Sequence, residues 1–135
     1  MKLEDQVTSL ELSKRLKELG VNQESLFYWT HLNGEDFLMI VKDFEGESIP
    51  KDRKDEFTSA FTVAELGEML PDNEKYRDEY WQLTMSKWPS GYSVDYMNDF
   101  HRTLDCGQPK DEFLANALAK MLIYLLEQSL ITSKK

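Results

Sequence analysis

The chain has 135 residues, 41% of them hydrophobic and 30% charged, with 25 Asp and Glu against 16 Lys and Arg for a formal net charge of −9. That length suits one domain, residues 1–135, with a core of its own, and so acidic a surface repels phosphate backbones and anionic lipid, which argues against general affinity for nucleic acid or membranes. The single cysteine, Cys106, excludes an intrachain disulfide, and the start Met1-Lys2-Leu3-Glu4-Asp5 lacks the apolar core of a signal peptide, so the expected compartment is the cytoplasm.

Thr8 to Glu11 matches the S/T-x-x-E capping box, and Leu12, Leu16 and Leu19 follow at helical spacing until Gly20, which predicts a first helix over about 9–19. The next stretch reads in two ways. Asn22 to Trp29 is a second helix if the segment continues a helix-turn-helix. Alternatively, the aromatic and branched runs Leu26 to Leu32 and Phe37 to Phe44 flank Asn33-Gly34, a strong hairpin signal, and this reading ranks first. With Asn33-Gly34 as the turn, Trp29 faces Leu38, Tyr28 faces Met39, Phe27 faces Ile40, Leu26 faces Val41 and His31 faces Asp36. A strand pair apolar on both sides is covered twice or presents one side to a partner.

Residues 42–56 mix charges around Gly46 and Pro50 and read as a solvated loop. Phe57 to Phe61 suits a short strand, and Thr62-Val63-Ala64-Glu65 is a second capping box, opening a helix that Pro71 closes. Trp81, Leu83 and Met85 alternate with Gln82, Thr84 and Ser86, and after the turn Pro89-Ser90-Gly91 the alternation resumes at Tyr92, Val94 and Tyr96, which predicts a half-buried hairpin. Trp88 falls on the polar face of that hairpin and is therefore a candidate exposed contact. The last long segment, Pro109 to Ile131, carries Leu114, Leu118, Met121, Leu122 and Leu125 on one helical face. Pro109 suits the first turn of that helix, and Asp111 and Glu112 suit the positive end of its dipole. Its longest apolar run, Met121 to Leu126, is far below the roughly 20 residues a bilayer demands. The predicted fold is α+β: an antiparallel sheet built from two hairpins, with about three helices packed against it and a long C-terminal helix.

Two resemblances follow from these blocks. Residues 10–29, with Gly20-Val21 as the turn and an aromatic pair closing the second helix, resemble the helix-turn-helix opening of MerR-type regulators. Ser59-Ala60-Phe61-Thr62-Val63-Ala64-Glu65-Leu66-Gly67-Glu68-Met69-Leu70-Pro71, Ala119-Lys120-Met121-Leu122-Ile123-Tyr124-Leu125-Leu126-Glu127 and Leu26-Phe27-Tyr28-Trp29 together resemble a family of small bacterial and prophage proteins to which no activity is assigned. The second resemblance implies a mobile-element context and carries over no site.

Chemistry is mostly excluded. His101 and Cys106, near Asp99 and Asp105, match no zinc spacing, so neither a metal nor a cofactor is expected. Nothing resembles a nucleophile elbow, an activated cysteine or a phosphate-cradling loop, so catalytic residues are not expected either. Asn22 to Trp29 holds no Lys or Arg, which argues against DNA reading by that segment. The best functional reading is an acidic, non-catalytic interaction or accessory protein whose partner is another protein with a basic surface. Its candidate contact residues are Trp88, Phe27 and Trp29. The alternative is a divergent MerR-like helix-turn-helix domain.

Overall fold

A computed structural model describes residues 1–40, 55–71, 74–76, 79–98, 103 and 109–131. After a 3-10 turn at Leu3–Asp5 come α1 (Leu10–Glu18), β1 (Phe27–Leu32), β2 (Glu35–Ile40), β3 (Phe57–Ala60) and α2 (Val63–Met69). Then follow β4 (Glu74–Tyr76), β5 (Glu79–Trp88), β6 (Gly91–Met97), β7 (Lys110–Asp111) and α3 (Leu114–Glu127). The class is α+β.

Both predicted hairpins form, but they belong to different sheets. One sheet has the order β2-β1-β3 and the other β4-β5-β6-β7, all antiparallel. The expected single sheet is thus replaced by two. The reason lies in β3: Phe27 to Thr30 pair with Ala60 to Phe57, so the first hairpin finds its third strand beside α1 and not on the second hairpin.

In the first hairpin the expected register holds, with Trp29 opposite Leu38, Tyr28 opposite Met39 and Phe27 opposite Ile40. Asn33 at φ 54 and Gly34 at φ 81 supply the left-handed pair that a two-residue turn demands. Leu26 lies just outside β1, and Val41 to Phe44, like most of the 42–56 loop, fall outside the described residues. No helix covers Asn22 to Trp29: residues 21–25 are irregular and β1 begins at Phe27. The second helix of a helix-turn-helix is therefore not formed, because cross-strand pairing takes up the aromatic run.

α1 begins one residue later than its capping box suggests. Ser9 is the N-cap, its Oγ accepting from the Leu12 N–H. Thr8 is drawn into the interior instead: its Oγ1 lies 2.6 Å from Ser13 Oγ and accepts from the Phe61 N–H, while its own N–H donates to Phe61 O. At α2 the box forms as expected, with Thr62 Oγ1 accepting from the Glu65 N–H and Glu65 Oε1 accepting from the Thr62 N–H.

The core gathers around α3. Ala115, Leu118, Met121, Leu122 and Leu125 are buried against Leu16, Phe61, Leu66, Trp81, Val94 and Tyr96. The helix packs on α1, α2 and β6, and a fully buried large apolar side chain contributes roughly 1.5–3 kcal/mol. It starts later than the sequence predicts. Pro109 and Lys110 to Asp111 continue a ladder beside β6, with the Val94 N–H donating to Pro109 O. Asp111 therefore sits before the helix, its Oδ1 accepting from the Phe113 N–H. Beyond Glu127 the chain turns at Ser129, φ 56, so Leu130 and Ile131 lie past the helix.

On the second hairpin Trp81, Val94 and Tyr96 are buried and Tyr92 is half-buried, but Met85 is 53% exposed. The short β4 pairs β5 only at Glu79 to Trp81. The opposite face, expected to be solvated, holds buried Ser93 and Asp95.

Candidate functional site

Gly91 organises one end of the surface that stands out. It closes the second hairpin opposite Trp88, with φ 141, and a Cβ there would run into Asp111 O and Glu112 Cα. Only glycine lets β7 come so close. That approach brings the segment from Lys110 to Phe113 against the hairpin tip, where Trp88, Gly91, Tyr92 and Glu112 wall a cleft of about 510 Å³.

Tyr92 is also a wall of a second cleft, of about 360 Å³, whose other apolar walls include Phe27, Val63, Phe113 and Leu3. Tyr92 thus lines both clefts, Phe27 one of them and Trp88 the other. Trp88 is 54% exposed and its Nε1 donates to Ser93 Oγ at 2.8 Å, which fixes the indole over the hairpin's polar face. Phe27 is half-buried. Trp29 does not join them: its Nε1 donates to Thr8 O at 2.9 Å, which ties the half-buried ring to the N-terminal segment. Of the three candidate contacts, Phe27 lines one cleft, Trp88 lines the other, and Trp29 lines neither.

The charged residues lining these clefts are Asp5, Asp111, Glu112 and Lys110. Asp111 is committed. Burial alone would raise its pKa, but the Phe113 N–H, Lys120 at 2.9 Å and Asn116 outweigh that and leave it lowered. Asn116 Oδ1 in turn accepts from the Ser9 N–H, linking α3 to the start of α1. Asp5 borders one cleft, and Glu112 and the exposed Lys110 border the other.

Sequence reasoning counts Tyr92 among the aromatics of a candidate interface but favours core packing for it, and it misses Phe113 as a lining residue. Tyr92 reads as core by alternation, and only its half-burial at the cleft junction gives it a second role. Phe113 carries a weak signal, an aromatic just before the helical stripe.

Asp95 is the other unusual carboxylate. It is 8% exposed and its Oδ1 has no hydrogen-bond partner among the described residues. Burial raises its pKa, with Lys110 pulling weakly the other way. His31 and Asp36 form the expected cross-strand pair, Nδ1 to Oδ1 at 2.9 Å, with both side chains exposed. Among the described residues no group of three or more His, Cys, Asp or Glu could hold a metal ion, and no helix is long and apolar enough to cross a membrane. His101, Cys106, Asp99 and Asp105 lie outside the described residues. Compared with protein-family models, with curated proteins and with solved structures, the chain has no match in any of the three.

Proposed function

We propose that this chain is a small acidic, non-catalytic interaction or accessory protein of bacterial or prophage context, and that its adjoining clefts receive an extended segment of a protein partner. The carrying observation is that Tyr92 lines both clefts, one of which Phe27 also lines and the other Trp88. Aromatic side chains on a concave surface offer large contact area at little cost in conformational entropy, and they dominate interface energetics. The occupant is a segment with apolar side chains for the aromatic walls and Lys or Arg for the rim, since Asp5 and Glu112 border the clefts and the chain carries a net charge of −9.

The test compares wild type, Trp88→Ala and Trp88→Phe as bait in cells of the natural host, washed at moderate salt, with the unfolding midpoint of each measured alongside. A single basic protein retained by wild type and Trp88→Phe but lost by Trp88→Ala, with the midpoint shifted by less than about 4 °C, supports the reading. Equal retention by Trp88→Ala, or a large fall in its midpoint, overturns it. Co-purification of DNA that is lost as salt rises would instead favour the divergent helix-turn-helix reading.

A further inference from the structure

The cleft that Phe27 and Tyr92 line has one wall of a different kind. Phe27, Val63, Tyr92 and Phe113 belong to β1, α2, β6 and the residue before α3, whereas Met1, Leu3, Asp5 and Gln6 belong to a single short segment, residues 1–6. That segment is bonded to itself: the Lys2 N–H donates to Asp5 Oδ2, and the N–H groups of Asp5 and Gln6 donate to the carbonyls of Lys2 and Leu3. These are all its hydrogen bonds among the described residues. Its turn, Leu3–Asp5, buries no residue; Leu3 is 40% exposed and Met1 88%.

Anchoring starts abruptly at the next position. Val7 is fully buried and bridges Thr62, the Thr8 N–H donates to Phe61 O, and Thr8 O accepts from Trp29 Nε1. The junction of Gln6 and Val7 is thus a hinge between a self-bonded turn and a fixed body, and parts with the least buried contact open most readily. The segment carries two apolar side chains at the mouth of a cleft with apolar walls, and apolar surface is driven out of water where another such surface lies within reach.

We propose that residues 1–6 are an autoinhibitory strap. Hinged at Gln6 and Val7, the strap folds inward so that Leu3 and Met1 cover Phe27, Tyr92 and Phe113, and it swings out before a partner's segment enters. This role rests on the partner-binding reading of the cleft and adds its regulation, with Leu3 occupying the place of the partner's apolar side chain.

The experiment titrates Nile red, a neutral apolar dye, into the full chain, into Leu3→Ser and into a variant lacking residues 2–6, following dye fluorescence, with the unfolding midpoint of each measured alongside. Both variants should bind the dye about fivefold more tightly than wild type, as expected when the strap closes about four molecules in five. Val63→Glu puts a charge on the opposite wall at the first position of α2, where an acidic residue suits the helix. Added to the shortened variant, it should abolish the gain. Equal dye affinity in all three chains overturns the strap and leaves the cleft reading standing. Weaker binding by the variants also overturns it, since residues 1–6 are then a fixed wall. A gain that survives Val63→Glu puts the dye elsewhere and overturns it too. Dye binding by none of the chains overturns the cleft reading and the strap together.

Discussion

Asp95 is a carboxylate placed at a cost to the fold. Buried, and with no hydrogen bond at Oδ1 among the described residues, it favours its protonated form, and burial raises its pKa. The folded state therefore binds the proton more tightly than the unfolded chain does. The stability this contributes is full below the unfolded carboxylate range and is lost as pH rises through the raised folded pKa. Asp111 has the opposite sign: its lowered pKa contributes stability above the unfolded carboxylate range that is lost as pH falls through the folded value. Asp95→Asn keeps the shape and removes the charge, so it should raise stability at pH 7 and flatten the acid-side dependence that Asp95 adds. Denaturant unfolding of both proteins from pH 4 to 8 checks this; a destabilised Asp95→Asn at pH 7 would show that the carboxylate has a compensating partner.

At the scale of elements, local signals and tertiary pull compete openly. The same S/T-x-x-E pattern stands before α1 and α2, but only the second forms a capping box. The Thr62 hydroxyl bonds only Glu65 among the described residues, whereas Thr8 is taken by Ser13 and Phe61. Thr62→Ala should accordingly lower stability by about 1 kcal/mol, with Thr62→Ser restoring most of it. Chemical denaturation measures the difference, and an unchanged midpoint would mean that packing alone holds α2. α3 shows the same competition at its start. Pro109 and Asp111 are good residues for a first helical turn, but the edge of β6 offers hydrogen bonds to the Pro109 carbonyl and to β7, and the helix begins only after them.

Across the whole molecule the layers are unequally held. α3 contacts α1, α2, β6 and β7, and the main buried cluster centres on it. The sheet of β1, β2 and β3 has its closest element contacts within itself and with α1 through β3, and its outer strand β2 carries Phe37 at 42% exposure. Local opening takes place where buried apolar contact is least. Amides of β2 should therefore exchange with solvent well before those of α3, and hydrogen-exchange mass spectrometry of peptides covering 27–40 and 114–127 would read this directly. Simultaneous protection of both would show that the first hairpin unfolds only with the rest.

Most of the element pattern was legible from residue order alone. Helical periodicity marked α1 and α3, the Thr62 to Glu65 capping box with Pro71 marked α2, Asn33-Gly34 marked a hairpin with its register, and alternation marked the second hairpin, because these depend on neighbours in sequence and on the fixed periods of helix and strand. The exposure of Trp88 was legible for the same reason. What only the tertiary structure decided was which strands pair across long separations and what lies over each face. It divided the hairpins between two sheets, locked Trp29 under Thr8, buried Asp95 on a face that alternation marks as polar, and set Tyr92 between two clefts. Such contacts join residues far apart in the chain, where backbone pairing and shape decide the partner and a local pattern carries no address for it.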